Sequence, residues 1–141
     1  MKRKLDVGVN YYPNVGHLYG CVNDAYAVSQ VLAGHMDGQM NFDVEIVTAV
    51  DDKKDLDRRQ LKEDIIALFS DDPEIALLYF AGHGHVEDSG GYLVTSECQN
   101  GDDGLPLEDI LNSANDSKAK NKILILDSCH SGVAGTPKSL G

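Results

Sequence analysis

The sequence predicts an α/β fold built on a mostly parallel sheet flanked by helices on both faces. Two continuous apolar runs, residues 75–80 and 123–126, have the composition of strands that are buried on both faces, as in parallel sheets. Other segments with strand character alternate with segments whose apolar residues recur at helical spacing. Parallel strands need right-handed crossovers, and the helical segments supply them.

The first half of the chain is predicted to contain two strand–helix pairs. The first strand covers residues 5–12, and the turn formers at 13–16 end it. The helix after it has one apolar stripe, formed by Ala25, Val28, Leu32 and Met36. A second strand over 42–49 is followed by a charged connection over 50–57. Asp57 can cap the second helix, whose apolar face consists of Leu61, Ile65, Leu68 and Phe69.

The second half is predicted to add two core strands with a surface excursion between them. The central strand, 75–80, begins after the helix stop Asp71-Asp72-Pro73, and 123–126 is the fourth core strand. The excursion contains a turn at 87–91, a short strand at 92–95, a loop at 100–104 and a helix at about 107–114. Residues 1–141 are therefore expected to form one domain, with 132–141 as a loop or processing-region tail.

The charge and the cysteines narrow the class of protein. Twelve Lys and Arg against 23 Asp and Glu give a net charge of -11, which disfavours nucleic acid and anionic membranes as partners. Cys21, Cys98 and Cys129 are an odd number with no CxxC spacing, so a reducing compartment and no zinc are expected. The apolar stretch after the basic start is too short for a signal peptide or a membrane span. We expect a cytoplasmic protein.

Chemically reactive side chains follow the two apolar runs. One run leads into Asp127-Ser128-Cys129-His130-Ser131-Gly132, and the other into Ala81-Gly82-His83-Gly84-His85. The carboxyl ends of parallel strands lie at one edge of a sheet, where α/β proteins place their chemistry. A cysteine and a histidine at this edge can act as thiolate nucleophile and general base.

The residues alone leave other interpretations open. A free cysteine is most often a small buried hydrophobe, and His83 could be an ordinary strand-end histidine with His85 as a competing base. His83-Gly84-His85 followed by Asp88 also has a spacing that a metal-dependent hydrolase could use.

Four blocks of the sequence resemble the caspase-like cysteine peptidases, most closely the metacaspases and their prokaryotic relatives. The blocks occur in the family's order and are Gly20-Cys21-Val22-Asn23-Asp24-Ala25, Tyr79-Phe80-Ala81-Gly82-His83-Gly84, Gly91-Tyr92-Leu93-Val94 and the segment from Asp127 to Gly132. The resemblance implies a cysteine endopeptidase with Cys129 as nucleophile and His83 as base. It also implies that the backbone N–H groups of Gly84 and Cys129 bind the oxyanion. No catalytic role is carried over to His130.

The resemblance further implies an acidic pocket for the side chain before the cleaved bond, which would be Arg or Lys. The matching residues are Asp24 with Cys21 nearby, and Asp127. Carboxylates can bind a guanidinium through two parallel hydrogen bonds. The plainer alternatives are a first-turn helix carboxylate for Asp24 and a solvated strand-end acid for Asp127.

The sequence departs from the family pattern at three places. Ala81 stands where many metacaspases have Ser, so one polar pocket contact is expected to be missing. The aspartate cluster that holds activating calcium in many members cannot be mapped here, and Asp102 and Asp103 suit a hydrated turn at least as well. No metal or other cofactor is needed for the chemistry itself.

The third departure is that the family's smaller C-terminal portion, which adds two strands and part of the substrate groove, is not encoded before Gly141. A small subunit or downstream segment is therefore an expected partner, besides protein substrates. Lys138 lies where caspase-like zymogens are cut and is an expected processing site. A catalytically silent caspase-like assembly module remains the main alternative to an enzyme.

Overall fold

The computed structural model describes residues 1–33 and 42–129. Its elements are β1 (Lys2–Val9), α1 (Cys21–Ala33), β2 (Asp43–Ala49), α2 (Arg58–Phe69), β3 (Ile75–Glu87), β4 (Gly90–Leu93), a 3₁₀ turn (Gly101–Asp103), β5 (Leu105–Pro106), α3 (Leu107–Asp116) and β6 (Asn121–Cys129). Met36 of the predicted apolar stripe, His130 and the predicted tail 132–141 lie outside the described residues.

The sheet confirms the predicted fold class. Within the described residues its parallel part runs β2-β1-β3-β6, and β3 is paired on both sides. The central strand is longer than the predicted 75–80, because β3 continues to Glu87 and forms an antiparallel hairpin with β4. The short β5, which the sequence did not predict, pairs with β4.

Helices cover both faces, as expected. On one face α2 and α3 pack with Leu5, Val7, Leu78 and Phe80, and the predicted stripe Leu61, Ile65, Leu68 and Phe69 is fully buried there. On the other face Cys21 and Ala25 of α1 pack against Leu77, Tyr79 and Ala81 of β3. Asp57 caps α2 as predicted, since its Oδ1 accepts a hydrogen bond from Gln60 N at 2.7 Å. None of the described helices is long and apolar enough to cross a membrane.

The last strand is less buried than its apolar sequence predicts. Ile123 and Ile125 of β6 are 40% and 41% exposed. Among the described strands β6 pairs with β3 alone, so its other edge has no partner strand in this part of the chain. The prediction of a fully buried fourth core strand was therefore wrong for this part of the chain.

A buried ion pair lies under α1. Lys4 Nζ is 3.0 Å from Asp6 Oδ2, and both side chains have no exposed surface. The same ammonium donates to Val28 O of α1 at 2.8 Å. Burial raises the pKa of Asp6, and the neighbouring Lys4 only partly offsets it. The pair ties β1 to the helix that carries Cys21 and Asp24.

The start of α1 is held by residues from β1 and the loop after it. Asn10 Oδ1 accepts hydrogen bonds from the backbone N–H groups of Cys21 and Val22, at 3.0 and 3.2 Å. This side chain satisfies two donors that a helix N-terminus would otherwise leave open. Gly8 lets the helix approach, because a Cβ at this position would lie 2.6 Å from Cys21 O and 2.9 Å from Ala25 Cβ.

We predict that Gly8→Ala destabilises the protein by about 1–3 kcal/mol, because α1 must move away from β1 to admit the methyl group. Denaturant unfolding checks this. Gly20→Ala is the matched control, since a Cβ at Gly20 would meet nothing within 4 Å. Equal free energies of unfolding for the two variants would contradict the close approach of α1 to β1.

Candidate functional site

The predicted nucleophile and base lie opposite each other on neighbouring strands. In the parallel pairing of β3 with β6, His83 is the register partner of Cys129, and Ala81 is the partner of Asp127. The side chains of Ala81 and Asp127, which are paired in this way, lie on the same face of the sheet. That face is the one covered by α1. The backbone of Cys129 is the last position of β6.

The sequence predicted a strand that ends before His83, but β3 continues through His83 to Glu87. His83 is instead the point where β3 leaves its parallel neighbours and enters the hairpin with β4, whose pairing starts at Gly84. The edge of the parallel sheet is therefore at His83 even though the strand goes on. The predicted position at the carboxyl edge of the parallel sheet still holds.

The imidazole of His83 is buried, with 1% of its surface exposed, and a backbone carbonyl fixes its orientation. Nε2 is 2.8 Å from Gly16 O. A carbonyl can only accept, so neutral His83 carries its proton on Nε2, and Nδ1 has the lone pair that can take a proton. The ring of Tyr12 packs edge-on against the imidazole, with 4.5 Å between the ring centroids.

Tyr12 also fixes the backbone around His83. Its hydroxyl accepts a hydrogen bond from His83 N at 3.0 Å and donates one to Val94 O at 2.9 Å. The hydroxyl lies so close to Gly82 that a Cβ there would be 2.5 Å from it. Position 82 must therefore be a glycine, because a side chain there would collide with the hydroxyl of Tyr12.

The loop between β1 and α1 presents the Gly16 carbonyl. Gly16 has a φ of 109°, in the region that favours glycine. Its N–H donates to Tyr12 O, and His17 Nδ1 accepts from Tyr12 N, both at 3.0 Å. The predicted loop at 13–16 thus has a defined conformation that supports the orientation of His83.

The hydroxyl of Tyr79 contacts one of the three residues predicted for the acidic pocket and is influenced by the charges of the other two. Tyr79 donates to Asp127 Oδ2 at 3.1 Å. Burial raises the pKa of Tyr79, and nearby Asp127, Asp24 and Cys21 raise it further. Asp127, Asp24 and Cys21 therefore all lie within electrostatic reach of the Tyr79 hydroxyl. Asp24 and Asp127 are exposed and Cys21 is buried at the start of α1.

Gly84, the predicted oxyanion residue, packs closely against the neighbouring strand. A Cβ at Gly84 would lie 2.6 Å from Ser128 Oγ. That oxygen is itself buried and has no hydrogen-bond partner among the described residues. The glycine is thus needed for the close approach of β6 to β3.

The other histidine and acids of the sequence analysis have local partners. His85 Nε2 is 3.2 Å from Glu87 Oε2, and a Cβ at Gly101 would touch its ring. Asp103 Oδ2 accepts from Gln99 N and Asn100 N, as in a surface turn. In the described part of the chain, no group of three His, Cys, Asp or Glu side chains is placed to hold a metal ion.

Three residues near His83 and Asp127 escaped the sequence analysis: Tyr12, Gly16 and Tyr79. Tyr12 ends the first predicted strand, Gly16 belongs to the turn after it, and Tyr79 lies in the apolar run of the central strand. None of these positions has a local pattern that indicates a role. The sequence offered one signal, which is the hydroxyl of Tyr79 within a run of aliphatic side chains. A buried hydroxyl needs a hydrogen-bond partner, so it indicates a polar group nearby.

Comparisons with known proteins agree with this geometry. A family model described as a caspase domain matches residues 3–140. Metacaspase-1 of Scheffersomyces stipitis is 28% identical over 158 residues, which cover 94% of this chain and 36% of that protein. The chain therefore spans about a third of the length of this curated relative.

The crystal structure of protein GSU0716 from Geobacter sulfurreducens has the same fold. It gives a TM-score of 0.67 at 23% sequence identity and covers 93% of this chain and 51% of that chain. The family model extends over nearly the whole sequence and includes both strands that carry the cysteine and the histidine. The chain therefore belongs to the caspase-domain family of cysteine peptidases.

Proposed function

We propose that this chain is the catalytic part of a cysteine endopeptidase that cleaves after Arg or Lys with a Cys129–His83 dyad. The observation that carries the proposal is the register of β3 and β6, which pairs the backbone of His83 with that of Cys129. The fixed orientation of the imidazole and the two nearby carboxylates support it.

In the proposed reaction, the proton of the Cys129 thiol moves to Nδ1 of His83, and the thiolate attacks the carbonyl carbon of the substrate. The N–H groups of Gly84 and Cys129 stabilise the oxyanion. The imidazolium then protonates the leaving amine as the C–N bond breaks. Water hydrolyses the acyl-enzyme, with His83 taking its proton, and the thiol is restored.

Asp24 and Asp127 are proposed to bind the basic side chain of the substrate, with Cys21 at the inner end of the pocket. Two exposed carboxylates at the edge of the sheet attract a cation, and a guanidinium can bond to both oxygens of a carboxylate. The net charge of -11 adds long-range attraction for basic peptides.

A further strand-bearing segment is proposed as the partner of β6. It would be the small subunit or a downstream segment of the protein. The edge of β6 that has no partner among the described strands, and the exposed Ile123 and Ile125, support this, because unpaired edges with apolar side chains are normally covered. Calcium as an activator and a cytoplasmic location stay predictions.

We predict that the full-length protein cleaves reporter peptides ending in Arg or Lys, and that Cys129→Ala and His83→Ala each lower kcat at least about 1,000-fold, because neither partner replaces the other. His85→Asn is the matched control and keeps most of the activity. Cleavage only after Asp, or activity surviving Cys129→Ala, would refute the proposal. An Arg-directed electrophile that fails to label Cys129 would favour the silent assembly module.

We predict that Asp127→Asn lowers kcat/KM on Arg reporters by about 10- to 100-fold, the equivalent of losing a charge-assisted hydrogen bond of about 1.5–3 kcal/mol. Glu108→Gln is the control, since Glu108 is exposed on α3. This substitution removes the same charge, but on the opposite face of the sheet. Equal losses in both variants would assign the effect to overall charge and not to a pocket.

We predict that the protein is cut after Lys138, because this basic residue follows the nucleophile closely and matches the proposed specificity. Intact mass spectrometry of freshly purified full-length protein checks this. Lys138→Gln should abolish the cut and Lys120→Gln should not. A polypeptide that is never cleaved between residues 132 and 141 would show that this processing does not occur.

A further inference from the structure

Tyr79 lies in the middle of β3, yet its hydroxyl reaches the edge of the sheet. The side chain is 4% exposed and packs with Cys21, Ala25 and Ala81 beneath α1. The hydroxyl donates to Asp127 Oδ2 at 3.1 Å. A buried phenol in the core thus holds a carboxylate that is itself exposed.

Packing alone does not account for this hydroxyl. A phenylalanine would fill the same space under α1 and would need no hydrogen-bond partner. The hydroxyl bonds to a side chain that could rotate freely, and so it restricts the orientation of Asp127. A phenol is protonated at neutral pH, and burial and the neighbouring carboxylates raise the pKa of Tyr79 further, so its hydroxyl remains a donor.

Position 81 explains why Tyr79 is the donor. Ala81 is the register partner of Asp127 and is 1% exposed, so it is the nearest position on β3 to this carboxylate. Its methyl group offers no hydrogen bond. Tyr79 is two residues earlier on the same face, and its longer side chain spans that distance.

The hydrogen bond leaves acceptor sites on both carboxylate oxygens for a ligand. Oδ2 of Asp127 uses one lone pair to accept from Tyr79, and its second lone pair and those of Oδ1 can accept from a ligand in a fixed direction. A guanidinium presents its N–H groups in a rigid planar fork, so it gains most from a fixed acceptor. An ammonium is a point charge on a flexible stem and adapts to an acceptor that moves.

We propose that Tyr79 is a positioning residue that orients Asp127 and makes the pocket prefer Arg over Lys. This inference rests on the proposed function and deepens it, because it assigns a residue to the choice between the two basic side chains. Tyr79 acts through Asp127 and does not itself touch the reacting atoms.

The test compares two reporter peptides that differ only in Arg or Lys before the cleaved bond, with the full-length protein. Tyr79→Phe is expected to raise KM for the Arg reporter about 5- to 10-fold and KM for the Lys reporter less than about 2-fold. The Arg-to-Lys ratio of kcat/KM therefore falls. Tyr26→Phe is the matched control, because Tyr26 is on α1 and is 44% exposed.

A second variant separates positioning from packing. Tyr79→Phe combined with Ala81→Ser places a new hydroxyl at the position that faces Asp127, and it should restore the Arg preference at least in part. The thermal unfolding midpoint of each variant is measured alongside. An unchanged ratio in Tyr79→Phe overturns the inference, and so does a lowered ratio that Ala81→Ser fails to raise.

A binding experiment without turnover distinguishes failure of the inference about Tyr79 from failure of the proposed peptidase function. Butylguanidine and pentylamine are titrated into the full-length protein and followed by NMR. Wild type should bind the guanidine more tightly than the amine, and Tyr79→Phe should lose that difference. If wild type cleaves neither reporter but keeps this difference, the proposed peptidase function fails and the positioning role stands. If the guanidine is not preferred in wild type, the inference is overturned.

Discussion

The register between β3 and its two parallel neighbours is the constraint on which the rest of the structure depends. It sets β1 against β3 and β6 against β3, so that Ala81 and His83 of β3 lie opposite Asp127 and the backbone of Cys129 at one edge of the sheet. A shift of one residue in the pairing of β6 would move the side chain of Asp127 to the opposite face. The apolar faces of β3 specify the register, because both are buried under helices.

The helix over that face is positioned by contacts that serve the site as well as the core. Gly8 admits α1 to close range, Asn10 caps it, and Lys4 bonds to it from below. The loop that begins at Asn10 goes on to hold the imidazole of His83. One short segment after β1 thus fixes both the helix with the acidic residue Asp24 and the histidine.

The sequence predicted the parallel sheet, the capped second helix and the strands that carry the reactive residues, because each rests on a local pattern. It did not predict that Asn10 would cap a helix starting at Cys21, or that Gly16 would orient His83. These contacts form only once the loop folds back over the sheet, and no local spacing indicates them. The partial exposure of β6 was also missed, since an apolar run cannot show which neighbours are present.

The pairing of distant segments has a consequence for when the two proposed catalytic residues come together. The parallel pairs join positions far apart in the chain, such as Lys2 with Ile75, and such pairings form late and slowly because long loops must close first. The backbones of His83 and Cys129 therefore come opposite each other only when β6 pairs with β3. A polypeptide in which this pairing has not yet formed keeps the two proposed catalytic residues apart, so their juxtaposition depends on the tertiary fold and not on local sequence.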